Sequence, residues 1–209
     1  EQEPHRAVME YVLHPQPGYP FTLGISIEYA LSDSGLQVRT TATNLGAAPC
    51  PFGSGAHPYL TLGTASVDHL TLRVSGKTVL QSDDRGLPIS TQAVAGTQYD
   101  FRQPRPIGST RLDTAFTDLE RDQDGFARVE LSDPNTGTHV SLWVDRSYRY
   151  LMVFTGDTLA NVNRRSLAVE PMTCPPNAFR TGDALIRLEP GASFTGTWGI
   201  ARGIAHGSV

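Results

Sequence analysis

Long apolar runs, closely spaced metal ligands and an excess of positive charge are all missing from this sequence, and each absence removes a class of function. No apolar stretch approaches the roughly 18–20 residues a membrane-crossing helix needs, and Glu1-Gln-Glu-Pro-His-Arg6 lacks the basic, apolar and small-residue order of a secretion signal. A soluble, cytoplasmic protein with no membrane role is the expectation, and the absence of Met at position 1 suggests an internal start. With 17 Lys and Arg against 21 Asp and Glu, the formal charge is −4, which leaves no basic field for nucleic acid. The two cysteines, Cys50 and Cys174, are too few for a disulfide scaffold and read as reduced thiols. None of the six histidines sits at a short metal-ligand spacing from another, neither Cys forms a CxxC, and no Gly-rich dinucleotide fingerprint is present. A small neutral ligand handled without metal or cofactor suits these absences.

What the chain does have is turn chemistry and a period of two. It carries 20 Gly and 15 Pro with 39% hydrophobic residues, the balance of a turn-rich globular protein; 209 residues are enough for one large all-β domain. Phe21, Leu23, Ile25 and Ile27 alternate with polar or small residues, as do Leu36, Val38, Thr40 and Ala42. The pattern returns at Leu70, Leu72 and Val74, at Val140, Leu142 and Val144, and at Trp198 and Ile200, predicting strands with one buried face. Turn residues separate the runs, and Arg128–Asp133, Asn135-Thr-Gly137 and His139–Asp145 predict a hairpin. The stretch from Gln81 to Arg111, rich in Gly, Pro and polar residues, reads as a long excursion over the sandwich. Only short helical pieces are expected, around Ala178 to Ala184.

Two near-motifs carry no function. Gly76-Lys77-Thr78 lacks the upstream glycine of a phosphate-binding loop and reads as a turn. Ser54 lies in Phe52-Gly-Ser-Gly-Ala56, which does not satisfy the Gly-x-Ser-x-Gly nucleophile elbow, and reads as a loop residue.

Two segments hold an ionisable residue in rigid surroundings. In Pro51-Phe-Gly-Ser-Gly-Ala-His57-Pro58-Tyr59, Pro58 restricts His57 to extended backbone and the glycines permit close approach of a ligand. In Leu167-Ala-Val-Glu170-Pro171, an apolar run ends on a carboxylate that projects from a strand end. Taken alone, His57 is equally readable as a satisfied loop histidine, and Glu170 as an exposed carboxylate. Their spacing does not join them.

The ordered set of motifs does. His57-Pro-Tyr59 after a Gly-rich turn, Leu112-Asp113-Thr-Ala-Phe116, and Glu170-Pro-Met-Thr with Pro176-Asn-Ala-Phe179 together resemble the aldose 1-epimerase (mutarotase) family. Gly18-Tyr-Pro-Phe21 and Leu188-Glu-Pro-Gly191 through Trp198 extend the match over most of the chain. The resemblance implies an all-β, large antiparallel sandwich of the galactose mutarotase type, a supersandwich missing part of its N-terminal strands, with residues 1–209 as a single domain forming the C-terminal two thirds of a longer protein. It implies interconversion of the α and β anomers of a free hexose such as galactose or glucose, with His57 as general acid, Glu170 as general base and Asp113 binding sugar hydroxyls. Ring opening needs only a base at the C1 hydroxyl and an acid at the ring oxygen, each supplying about 10²- to 10⁴-fold. Tyr59, Phe116 and Phe179 complete the expected sugar contacts, with Trp143 a further candidate for an apolar face; core packing is the competing role for these aromatics.

The resemblance implies roughly another third of a domain before the position of Gly18, including an upstream histidine and arginine that help bind the sugar, and it places neither of those two in this sequence. The expected partners are therefore a sugar and, for a monomer or homodimer, a separate N-terminal segment that completes the sandwich and covers its apolar edges. Three other readings stay open: a non-catalytic carbohydrate-binding protein of the same fold, a glycoside hydrolase pairing Glu170 with Asp113, and a hexose-6-phosphate mutarotase using Arg102, Arg105, Arg111, Arg164 or Arg165 as its anion pocket.

Overall fold

Side chains that point alternately to opposite faces of a strand let one face pack inward, and this chain uses that rule to stack two antiparallel sheets. The computed structural model describes residues 2–204; Glu1 and residues 205–209, part of the expected domain, lie outside the described residues. In chain order the first strands are β1 (Gln2–Glu3), β2 (Arg6–Leu13), β3 (Leu23–Ser32), β4 (Gly35–Asn44), β5 (Cys50–Phe52), β6 (Tyr59–Leu60), β7 (Thr71–Val74), β8 (Gly76–Ser82), β9 (Pro88–Ala93) and β10 (Arg105–Pro106). They continue with β11 (Asp113–Leu119), β12 (Ala127–Ser132), β13 (Thr138–Val144), β14 (Tyr150–Phe154), β15 (Leu167–Met172), a one-turn helix α1 (Ala178–Thr181), β16 (Ile186–Leu188) and β17 (Ser193–Ile204).

A nine-stranded sheet runs β1-β2-β3-β4-β17-β13-β12-β7-β10, and a six-stranded sheet runs β6-β15-β14-β11-β8-β9. Between them lies the main core. Leu72, Val129, Leu131 and Leu142 enter it from the larger sheet, and Phe116, Leu151, Val153, Leu167 and Val169 from the smaller, all of them fully buried. A second cluster of Leu23, Ala42, Cys50, Phe52 and Leu188 forms where the two-stranded β16-β5 sheet covers the near ends of β3 and β4. Met9, Tyr11, Leu31 and Leu45 are exposed on the β2–β4 end of the large sheet. Neither Cys50 nor Cys174 is in a disulfide, and no helix among the described residues is long and apolar enough to cross a membrane.

The hairpin expected around Asn135-Thr-Gly137 forms as β12–β13, in register from Ala127↔Val144 to Ser132↔His139. Two expectations change. Gly76-Lys77-Thr78 is not a turn: Gly76 opens β8, because only a residue without a side chain fits there; an added Cβ would stand 2.7 Å from the Cβ of Phe116. The stretch from Gln81 to Arg111 is not one excursion either, since β9 returns along β8 to close a hairpin and β10 pairs with β7.

Candidate active site

The six-stranded sheet has one face in the core and one face outward, and the pairing register says which residues share the outer face. Glu170 lies opposite Met152 and Ala168 opposite Phe154 across β15–β14; Met152 lies opposite Ala115 and Phe154 opposite Asp113 across β14–β11; Tyr59 lies opposite Ala168 across β6–β15. Directly opposed residues point to the same side of a sheet. Glu170, Asp113, Tyr59, Met152 and Phe154 therefore face outward together, while Val169, Val153 and Phe116 point into the core.

His57 is brought to this face by the segment before β6. Gly55 bridges Met172, the Ala56 N–H donates to the Pro171 carbonyl at 3.2 Å, and the Val169 N–H donates to the Pro58 carbonyl at 3.1 Å. Backbone hydrogen bonds on either side of both residues thus hold His57 alongside Glu170, with Nε2 3.1 Å from Glu170 Oε1. Gly53 lets the segment pack close against the end of β15: a Cβ there would meet Cys174 Sγ at 2.7 Å. Ser54 is pinned in the same loop, its N–H donating to Thr173 Oγ1 at 2.9 Å.

The electrostatics of the pair are asymmetric. The His57 side chain is 53% exposed and that of Glu170 only 18%. Burial pushes the Glu170 carboxyl above its ordinary range, the Asp113 carboxylate pushes the same way, and His57 opposes both. A half-exposed ion pair stabilises a fold by only about 0–1 kcal/mol, too little to explain why a carboxylate is held partly dry beside an imidazole. The arrangement does give chemistry: a carboxylate with raised proton affinity next to an imidazole, a side chain able to serve as an acid or a base.

The remaining expected contacts divide. Tyr59, 42% exposed, sets its ring 5.0 Å from the His57 ring and joins the site. Asp113 is exposed at the start of β11 on the same face. Phe179, on α1 and 61% exposed, lies 6.1 Å from the Tyr19 ring and walls a cavity of about 330 Å³ with Met172 and Gly55, just beyond Glu170 along β15. Phe116 does not join them: it is 0% exposed, because an odd separation from Asp113 puts it on the opposite face of β11. Trp143 is also elsewhere, on the large sheet, packed edge-on against Phe126. Phe154 takes the place expected of Phe116, outward-facing in the strand between Asp113 and Ala168.

The arginines divide as well. Arg164, with a side chain 13% exposed, donates to Asp68 at 2.6 Å and Asp157 at 2.8 Å and to the carbonyls of Gly108 and Thr110. Arg102 grips Asp100 through two hydrogen bonds that hold the Asp100 carboxyl down at about 2. Arg105 lies 3.7 Å over the Phe101 ring, and Arg111 is 3.6 Å from Asp157. Arg165 is the member of this set that borders the site, in a cavity of about 570 Å³ beside Tyr59. No cluster of three or more His, Cys, Asp or Glu placed to hold a metal occurs among the described residues.

Known proteins are similar to this chain in sequence and in fold. The sequence model of the family described as aldose 1-epimerase matches residues 1–201. The uncharacterized protein YihR of Escherichia coli (strain K12) is 34% identical over 180 residues, covering 86% of this chain and 56% of YihR, so the chain spans little more than half the length of that relative. Among solved structures, the GalM/aldose epimerase homologue from C. elegans superimposes with a TM-score of 0.85 at 17% identity, over 98% of this chain and 67% of that one. The galactose 1-epimerase from Lactobacillus acidophilus NCFM does so with a TM-score of 0.77 at 23% identity, over 99% of this chain and 65% of that one. At these identities the two structures speak for the galactose mutarotase-like fold alone.

Proposed function

The chain belongs to the aldose 1-epimerase family, and from that premise we propose that it interconverts the α and β anomers of a free hexose such as galactose or glucose. The observation that carries the reading is the 3.1 Å approach of His57 Nε2 to Glu170 Oε1 on the outward sheet face that also presents Asp113. The two oxygens that exchange protons in anomerisation hang on one carbon, so an acid and a base that serve them must stand side by side. A glycoside hydrolase would instead pair two carboxylates across the scissile bond, whereas the group touching Glu170 is an imidazole.

In the proposed reaction Glu170 takes the proton of the C1 hydroxyl as the bond from C1 to the ring oxygen breaks. The ring oxygen takes the proton of His57 Nε2, and the open-chain aldehyde forms. Rotation about the bond between C1 and C2 presents the other carbonyl face. On reclosure the 5-hydroxyl returns its proton to His57 while Glu170 returns its own to the new C1 hydroxyl, so both groups end as they began. Asp113 accepts hydrogen bonds from sugar hydroxyls, and Tyr59 and Phe154 offer apolar surface to the ring. The partly dry setting of Glu170 raises its proton affinity toward that of a useful base.

The test is the rate of anomer equilibration of freshly dissolved α-galactose or α-glucose. Acceleration proportional to protein, lost in His57→Asn, is expected. Binding of the sugar with no acceleration over buffer would leave a carbohydrate-binding protein of the same fold.

A further inference from the structure

At the end of β11 remote from Asp113 the chain crosses between the two sheets twice: Ser75 joins β7 to β8, and residues 120–126 lead from β11 to β12. Between the crossings lies a cavity of about 450 Å³, within the roughly 300–1,000 Å³ of small-ligand sites. Asp113 opens β11 and Leu119 closes it, so at about 3.3 Å per residue the cavity lies roughly 20 Å along the strand from Asp113. Four cations, Arg73, Lys77, Arg121 and Arg128, line it against two carboxylates, Glu120 and Asp122, in a chain whose formal charge is −4. Lys77 meets Glu120 at 3.0 Å and Arg128 meets Asp122 at 2.9 Å, while Arg73 reaches Glu130 only at 3.5 Å. Arg121 makes no ion pair among the described residues. Its two terminal nitrogens donate to the carbonyls of Gly125, Val144, Asp145 and Tyr148, which fixes the guanidinium and leaves its Nε–H without a partner among the described residues.

We propose that this cavity binds a phosphate group, as free phosphate or as a small phosphate monoester, at a site separate from His57 and Glu170. Ser75 supplies an observation independent of the charge count. It lines the cavity and is 3% exposed; its N–H donates to the Arg128 carbonyl at 3.2 Å and its carbonyl accepts from the Glu120 N–H at 2.8 Å, so the backbone is clamped from both sides. Its Oγ is buried and has no hydrogen-bond partner among the described residues. Native structures seldom leave such a hydroxyl unpaired unless an ion or a water completes it, and a hydroxyl rotates to donate to an oxyanion. The cations point the same way. Burial first, and then the Arg146 guanidinium, disfavour the charge on Arg121, and Asp145 and Asp122 offset them only in part; a bound anion supplies what is missing. Four lining cations against two carboxylates leave an excess of two, which a dianion neutralises and a single carboxylate does not. Glu130 beside Arg73 and Arg146 beside Gly125 flank the cavity and cancel. Guanidinium and ammonium groups together form charge-assisted hydrogen bonds to phosphate oxygens, and the Phe126 ring, with Arg128 5.8 Å over it, gives apolar surface for a short ester arm.

The experiment is titration calorimetry at constant ionic strength with inorganic phosphate, glycerol 3-phosphate and glycerol, on the parent chain, Lys77→Gln, Ser75→Ala and His57→Asn. Binding of the phosphate compounds and not of glycerol is expected, and the tighter of the two tells free phosphate from ester as the ligand. Lys77→Gln and Ser75→Ala should each raise Kd about tenfold, the loss of one hydrogen bond to a charged group, and His57→Asn should bind as the parent does. Thermal melts check folding; Lys77 is exposed, so its substitution leaves the fold intact and decides the matter should Ser75→Ala not fold. No binding of either phosphate compound, displacement by an equal concentration of chloride, or an affinity within about twofold of the parent in either folded cavity variant would overturn the site. Weakened binding in His57→Asn would place the anion at the acid–base pair and overturn it as well.

Discussion

Replacing Glu170 by Gln removes a base without removing its shape, and the structure sets two separable consequences. The first is kinetic. A positioned general base contributes about 10²- to 10⁴-fold, so Glu170→Gln should slow anomer equilibration by at least about 10²-fold, or roughly 2.7 kcal/mol of barrier. The second is thermodynamic and has the opposite sense. Burial, aided by Asp113, raises the Glu170 carboxyl above its ordinary range, so the folded state binds a proton more tightly than the unfolded chain does. The ionised side chain therefore costs stability, a cost absent below about pH 4, where an unperturbed glutamate is protonated in both states, and growing as pH rises through the raised value. Glutamine is neutral throughout. Its melting temperature should match the parent's near pH 4 and exceed it at pH 7–8, and the lost contact with His57 offsets little, since exposed pairs contribute about 0–1 kcal/mol. Polarimetry and thermal melts across pH read both. Near-parent turnover would refute the role of Glu170; a slow variant that also melts several degrees lower at pH 7 would show that the loss came from unfolding.

Four further outcomes are expected. Because the Glu170 carboxyl is raised, the acidic limb of the kcat/KM profile should lie above the ordinary glutamate range, near 4.3, and a limb at or below it would contradict the proposed environment. Phe116→Ala should cost about 3–5 kcal/mol of stability as a core truncation, whereas Phe154→Ala should melt close to the parent and raise KM by about tenfold, the upper range of an aromatic contact; denaturant melts and kinetics separate the two. Gly76→Ala should destabilise by about 1–3 kcal/mol through overpacking, because the added methyl meets Phe116. Arg164→Lys should melt nearly as low as Arg164→Ala, since one ammonium cannot reproduce a guanidinium shared by two carboxylates and two carbonyls.

Parity explains much of what the sequence revealed and what it hid. The hairpin β12–β13 was legible because its apolar residues alternate and Gly137 takes a positive φ of 70° at the turn. Strand β14, Tyr150-Leu-Met-Val-Phe154, was not, because it is apolar on both faces and a short unbroken apolar run has no period to read. The same strand holds Met152 and Phe154, the outward-facing residues that motif reading passed over. Strand counting could have exchanged Phe116 for a residue of the correct face: Asp113, Ala115 and Thr117 share one side of β11, and Phe116 does not. The approach of His57 to Glu170 was legible only through family resemblance, since it is made by antiparallel backbone bonds between segments far apart in sequence. Gly76 was misread because a glycine within an alternating segment signals either a turn or a close approach, and the neighbour that decides between them, Phe116, is on another strand.

In the proposed reaction His57 and Glu170 act together on the anomeric carbon. Proton NMR exchange between the α and β anomeric signals of galactose tests it most directly, because it reports interconversion at equilibrium without a coupling enzyme. The expected exchange rate rises in proportion to protein concentration and falls by at least about 10²-fold in both His57→Asn and Glu170→Gln, with galactose still bound. Exchange no faster than in buffer for the folded, galactose-binding parent chain, or exchange that survives both substitutions, would contradict it.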